Sequence, residues 1–354
     1  MIRKAWSVLS LVAIVTVYFS YITVTCGLIF VVDLMMPRCL SRDAIVKAAK
    51  VAWLSLTKAA LHGYFPGKVF IRYDPAILDN RRNIVISNHL TEYDWLFISC
   101  VMHHFRRFGC MYIILKMSLK DIPLLGYGMR FFEFIFLNRR LSKDKELIMS
   151  GASNLKKKTR YDLLLFPEGT YIDKVSHEKS HEWARSGKTM VDGHVFDPEE
   201  VILPRTTGFD ILRANMKDDM DGILDITIIG NPYVKYPNDV FSYREVLVNK
   251  SCMVNFMFFL DYIPSNDGMD SKEFLLRRFE RKEKMIRHYK EIQGCDKIQD
   301  MEEFRKVADL LCDVRVEYKD VEIDLSSRWG PLFYAMFVFV WMVAAGWLAR
   351  WIWK

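Results

Sequence analysis

His89 is followed at the fifth position by Asp94 in the stretch Asn88-His89-Leu90-Thr91-Glu92-Tyr93-Asp94, directly after the apolar run Ile84-Val85-Ile86. An imidazole whose one ring nitrogen hydrogen-bonds to a carboxylate has its other nitrogen held in place to take a proton, which is what a general base needs. The apolar run reads as a buried strand, so the pair falls where a strand ends and a helix is about to begin. A tight turn there would fold Asp94 back beneath the imidazole. The chain has eight histidines and 43 acidic residues, so this spacing also arises by accident, and the motif alone leaves both base and bystander open.

A second polar turn, Phe166-Pro167-Glu168-Gly169-Thr170, follows another apolar run, Leu163-Leu164-Leu165. An α/β sheet places its ligands at turns of this kind, beyond the carboxyl ends of its strands. Gly169 allows a positive φ or a close approach of a ligand to the backbone, although a plain Pro-Gly turn explains it equally well. Between the two turns lies a basic stretch from Lys116 through Pro123, Gly126 and Gly128 to Phe134-Ile135-Phe136-Leu137-Asn138-Arg139-Arg140. Arg139 follows an apolar segment and could fork onto a phosphate with two parallel hydrogen bonds; an ordinary surface arginine pair is the alternative.

A fourth block, Val201-Ile202-Leu203-Pro204-Arg205-Thr206-Thr207-Gly208-Phe209, completes a recognisable order. Together the blocks resemble the glycerophospholipid acyltransferase family, which carries a His-x4-Asp block, a basic block, a Phe-Pro-Glu-Gly block and a later proline block. The Pro-Arg-Thr-Thr-Gly wording, with Thr-Glu-Tyr-Asp-Trp around Asp94, is similar to the branch containing lysocardiolipin and lysophosphatidylinositol acyltransferases.

The resemblance covers about residues 84 to 209 by motif and implies an α/β fold: a single glycerolipid-acyltransferase-like domain with a mostly parallel central sheet. It implies His89 and Asp94 as catalytic residues, and Asn88, Lys116, Arg139, Glu168, Gly169, Thr170 and Pro204 as substrate-binding residues. Acyl-CoA is then a co-substrate, with no cofactor and no metal. Three positions depart from the family pattern: Glu133 where glycine is usual, Asn138 where aspartate is usual, and Tyr171 where an arginine follows the threonine.

Other motifs were weighed beside these. His177-Glu178-Lys179-Ser180-His181 is formally a zinc-protease HExxH string, but its flanks are polar throughout and show no apolar stripe, so it reads as a polar loop between two site blocks. Gly187-Lys188-Thr189 ends like a phosphate-binding loop, yet Glu182 stands where the first glycine is needed. No Gly-x-Ser-x-Gly elbow occurs, which excludes a serine hydrolase of that design.

The elements needed to position these residues are legible as periodicity. Asp43 to Leu61 has helical spacing. Short apolar segments recur at Val69–Tyr73, Ile84–Ser87, Met111–Leu115, Phe134–Leu137, Leu163–Phe166, Ile223–Ile229 and Val254–Leu260, mostly separated by helical or polar stretches. That alternation predicts α/β with a largely parallel sheet. From Ser271 to Ile292 a charged helix carries Leu275, Phe279, Ile286 and Tyr289 along one side, and its basic face is expected in solvent.

The two ends differ from the middle. Ala5 to Val32 contains no charge, and Pro331 to Ala349 contains none either before Arg350-Trp351-Ile352-Trp353-Lys354. A spanning helix needs about 20 apolar residues, so both runs are expected as membrane helices. Five of the nine tryptophans fall between Trp329 and Trp353, as suits rings at headgroup level. The expected organisation is a membrane segment at 1–36, the acyltransferase domain at 37–328 and a transmembrane helix at 329–354. The basic residues after the first run place the domain in the cytosol. Family resemblance favours the endoplasmic reticulum.

Seven cysteines without any CxxC spacing suggest free thiols in a reducing compartment. The net charge of +7 suits an anionic bilayer and anionic substrates, and no nucleic-acid module is visible. The expected function is acyl transfer from acyl-CoA to the hydroxyl of an anionic lysophospholipid of the lysophosphatidylinositol or lysocardiolipin type. The alternatives are a 1-acyl-sn-glycerol-3-phosphate acyltransferase making phosphatidic acid and a non-catalytic lipid-binding scaffold.

Overall fold

The computed structural model describes residues 42–60, 68–123, 125–187, 189–242, 244–249, 255–265, 271–292, 298–312 and 316–325. The apolar runs at 5–32 and 331–349 lie outside the described residues, as do both domain limits drawn from them. Among the described residues no helix is long and apolar enough to cross a membrane.

The sheet strands are β1 (Lys68–Tyr73), β2 (Arg82–Ser87), β3 (Met111–Lys116), β4 (Ile135–Leu137), β5 (Tyr161–Leu165), β8 (Gly222–Asn231), β9 (Asn255–Pro264) and β10 (Lys319–Asp324). A small separate hairpin joins β6 (Met190–Val191) to β7 (His194–Val195). The main sheet runs β10-β1-β9-β8-β2-β5-β3-β4. Five of its pairings are parallel, and only β1 with β10 and β8 with β9 are antiparallel. The sheet is therefore mostly parallel, as the alternation of segments predicts.

The helices used below are α1 (Arg42–Ala60), α2 (Asp94–His104), α3 (Leu125–Phe131), α4 (Leu141–Lys156), α5 (Lys174–Arg185), α6 (Thr206–Met216), α7 (Ser271–Glu291) and α8 (Met301–Leu311). Successive strand residues face opposite sides, which divides the core into two layers. On β2, Val85 packs with Leu54 of α1 and Phe97 of α2, whereas Ile84 and Ile86 pack with Ile148 of α4, Phe209 of α6 and Phe279 of α7. The result is helix, sheet, helix. Strands buried on both faces need continuous apolar sequence, and Ile84-Val85-Ile86 and Leu163-Leu164-Leu165 supply it.

Two helices depart from the expected pattern. In α1 the buried stripe Val46, Lys50, Leu54 and Thr57 includes a lysine. Its Nζ donates to the Met111 carbonyl at 2.7 Å and lies 3.6 Å from the centre of the Tyr112 ring. Burial lowers this ammonium to about 7. In α7 the four apolar residues are buried as expected, but the basic face is not all in solvent. Lys282 is buried, pairs with Asp225 and donates to the Ile226 carbonyl, while Arg278 bridges Asp225 and Asp261 at 2.5 and 2.6 Å. These cations neutralise two acids that face each other across β8 and β9.

Candidate active site

Four parallel strands, β2, β5, β3 and β4, lie side by side, so the segments leaving their carboxyl ends gather along one edge of the sheet. His89 follows β2, Phe166–Thr170 follows β5, Lys116 ends β3, and Arg139 follows β4. The edge is where an open α/β sheet offers a crevice.

The turn from β2 into α2 is built around Asp94, which is fully buried. Its Oδ2 accepts from the His89 Nδ1 at 2.9 Å, from the Leu90 amide at 2.5 Å and from the Thr91 amide at 3.0 Å. Its Oδ1 accepts from the Thr91 hydroxyl at 2.6 Å. A carboxylate only accepts, so this arrangement places the imidazole proton on Nδ1 and the lone pair on Nε2. Among the described residues, His89 Nε2 has no hydrogen-bond partner. The ring stacks on Phe166 with centroids 4.1 Å apart and meets Tyr171 edge-on at 6.0 Å, leaving the side chain 16% exposed. That exposure is enough for a substrate atom to approach while most of the ring is held dry.

Two of the expected substrate residues are buried and bonded to backbone groups. Asn88 is buried, donating to the Ile228 carbonyl at 2.9 Å and accepting from the Ile228 amide at 2.8 Å. Its side chain ties the end of β2 to β8. Glu168 is also buried, and its two carboxyl oxygens accept from the His89 amide at 2.6 Å and the Ile202 amide at 3.0 Å. Burial pushes this carboxyl well above the usual range, against the opposing pull of the two amides. Glu168 thus positions His89 and the 202–205 segment instead of standing open to a ligand.

Gly169 has φ +78°, and a Cβ there would meet the Arg205 guanidinium at 3.1–3.3 Å. Thr170 follows in the same turn and is half-buried. Pro204 is buried and brings Arg205 to the turn, where the Arg205 amide donates to the Pro167 carbonyl at 2.8 Å. The motif reading did not single out Arg205, although it stands in the Pro-Arg-Thr-Thr-Gly block. Tyr171 occupies the expected arginine position, and Arg205 brings a guanidinium to this turn from another segment.

Arg139 is exposed and has φ +62°, a strained conformation for an arginine. Partial desolvation, then the neighbouring Arg205 charge, depresses its pKa. Asp144 brackets the turn by accepting from the Asn138 amide at 2.7 Å and the Arg140 amide at 2.8 Å. Glu133, where glycine is usual, adopts φ +59°, the conformation a glycine would favour. Lys158 holds its carboxylate at 2.7 Å. Lys116 is exposed at the end of β3, paired in register with Leu137 two residues before Arg139.

The HExxH string is helical and not a loop. Asp173 and Ser176 form a reciprocal cap at the start of α5, with bonds of 2.7 and 3.0 Å. His177, Ser180 and Ala184 are its buried residues. Small and polar groups at helical spacing leave no apolar stripe in the sequence.

An oriented imidazole with one open lone pair lies at the carboxyl edge of a parallel sheet, beside the turn that carries Gly169 and Arg205. Residues 69–229 match the Acyltransferase family model, so this part of the chain is an acyltransferase domain. An uncharacterised acyltransferase of Schizosaccharomyces pombe is 29% identical, over 65% of this chain and 70% of its own length. The lysocardiolipin acyltransferase 1 of Gallus gallus is 29% identical over 69% of this chain, which spans only 63% of that relative. A 2-acyl-1-lysophosphatidylinositol acyltransferase of Saccharomyces cerevisiae is 24% identical over 73% of each chain.

Proposed function

We propose that the protein transfers a fatty acyl group from acyl-CoA to the free hydroxyl of an anionic lysophospholipid of the lysophosphatidylinositol or lysocardiolipin type. The observation that carries this reading is His89, held through Nδ1 by Asp94 at 2.9 Å with Nε2 open. Nε2 takes the hydroxyl proton as the oxygen attacks the thioester carbonyl. The tetrahedral intermediate then expels the CoA thiolate, which recovers that proton from the imidazolium. A thioester is already activated, so orientation and one base supply most of what the step requires, with no covalent enzyme intermediate and no metal in the step.

Arg139 and Arg205 hold the phosphate of the acceptor, with Lys116 at the rim, while Gly169 and Thr170 shape the hydroxyl end. The apolar runs at 5–32 and 331–349 anchor the enzyme in the endoplasmic reticulum membrane, its domain facing the cytosol. The test is to offer the purified full-length protein one acyl-CoA and a panel of lysophospholipids. The expected result is acylation of lysophosphatidylinositol or monolysocardiolipin. Acylation of lysophosphatidic acid alone would reassign the enzyme to phosphatidic acid synthesis, and acyl-CoA left intact with every acceptor would make it a lipid-binding scaffold.

A further inference from the structure

Two imidazoles one turn apart on α5 face the same returning segment. The His177 and His181 ring centroids are 4.3 Å apart, and Asp197, Pro198 and Glu199 come back against them. Each ring has one nitrogen engaged by an acceptor. His181 Nδ1 donates to Asp197 Oδ1 at 2.5 Å, which leaves the Nε2 lone pair 3.6 Å from Glu199 Oε1. His177 Nε2 donates to the Pro198 carbonyl at 3.2 Å, which leaves Nδ1 as an acceptor 3.0 Å from the Tyr236 hydroxyl. A carboxylate or carbonyl behind a histidine is the arrangement that fixes the tautomer of a metal ligand.

Ligand atoms of His177, His181 and Glu199 all lie within 4.8 Å of one another. Two ligands bonded at about 2.0–2.1 Å to a tetrahedral zinc lie roughly 3.4 Å apart, close to the separation already present between His181 and Glu199. Lys235 holds the other oxygen of Glu199 at 2.9 Å, so Oε1 is the one available. Two neutral imidazoles and one carboxylate suit zinc-like ions over magnesium or calcium, which prefer oxygen.

We propose that His177 Nδ1, His181 Nε2 and Glu199 Oε1 bind one divalent transition ion of the zinc type, with water or the Tyr236 hydroxyl as fourth ligand. The ion is a staple and takes no part in acyl transfer. It joins α5 to the segment that presents the Ile202 amide to Glu168 and carries Arg205. Ser180 Oγ, on the same helix, already accepts from the Leu203 amide at 3.0 Å. Through Tyr236 it also reaches the 236–241 segment, where Asn238 accepts from the Glu92 amide at 3.2 Å and the Phe241 carbonyl from the Tyr93 hydroxyl at 2.7 Å. Both ends of the catalytic turn therefore touch elements that the ion would hold.

The test uses the full-length protein without a histidine tag, dialysed against Zn²⁺ or Co²⁺ and assayed for bound metal. One equivalent is expected. His181→Gln and the more exposed Glu199→Gln should each weaken binding by at least about tenfold, since each removes one of three protein ligands. Zn²⁺ should raise Tm in the wild type and not in His181→Gln. Bound Co²⁺ should show tetrahedral ligand-field bands without a thiolate charge-transfer band. Wild-type binding no greater than that of His177→Gln/His181→Gln, or a thiolate band with binding unchanged in His181→Gln, overturns the proposal. Acyl transfer enters none of these readouts, so the result is independent of the function proposed above.

Discussion

Among the described residues there are two histidine–aspartate pairs, and they differ in what meets the second ring nitrogen. At His89 the aspartate is buried beneath four donors, and the other nitrogen has no hydrogen-bond partner among the described residues. At His181 the aspartate is 39% exposed, and the other nitrogen meets a carboxylate with a second imidazole beside it. A general base needs one solitary lone pair with its tautomer fixed. A metal site needs several lone pairs that converge. Spacing in the sequence cannot separate these outcomes, because both begin with a histidine and an acid; the segment that folds back over the histidine decides.

Asp94→Asn should break the first pair most severely. Its amide cannot accept from every donor around it and no longer fixes the Nδ1 proton, so kcat should fall by about 10²–10³-fold with little change in KM. A loss under fivefold in steady-state kinetics would remove Asp94 from the mechanism. Arg139→Ala and Arg205→Ala should each raise KM for the lysophospholipid by about tenfold, the scale of one charge-assisted hydrogen bond, while KM for acyl-CoA stays within about twofold. Equal effects on both substrates would show that the two guanidinium groups do not select the acceptor.

Glu168→Gln turns an amide NH₂ toward one of two N–H donors. Stability in urea should fall by about 1–3 kcal/mol, and activity with it, because either the His89 amide or the Ile202 amide loses its acceptor and meets a donor instead. Away from both pairs, Lys50 sets the background. Its folded value, lowered by burial to about 7, lies below the unfolded one. The unfolded chain therefore binds more protons between about pH 7 and 10.5, and stability rises with pH across that window by up to about 1.4 kcal/mol per pH unit. Lys50→Met should flatten that slope in denaturation curves taken at several pH values. The smallest effect on catalysis is expected at the second pair: His181→Gln should change kcat by less than about threefold.

Much of the frame was legible because buried parallel strands advertise themselves. Ile84-Val85-Ile86 and Leu163-Leu164-Leu165 have no polar face, and the motifs after them mark the sheet edge. β10 escaped notice because Lys319-Asp-Val-Glu-Ile-Asp is an edge strand and largely polar. α5 escaped because His177, Ser180 and Ala184 bury without being apolar. At the site, residue types were legible and roles were not. Asn88 and Glu168 have the chemistry of ligand contacts, yet both serve backbone groups that come from distant segments, Ile228 and Ile202. Arg205 and Asp144 act through convergence in space, which no local spacing records. Glu133 shows the reverse: a non-glycine held by Lys158 in the conformation a glycine would take.

The most direct measurement is acyl transfer by the purified full-length protein carrying His89→Ala, run beside His181→Gln. The account predicts a loss of about 10²–10⁴-fold for His89→Ala with an unchanged Tm, and near wild-type turnover for His181→Gln. A His89→Ala enzyme within tenfold of the wild type would contradict it.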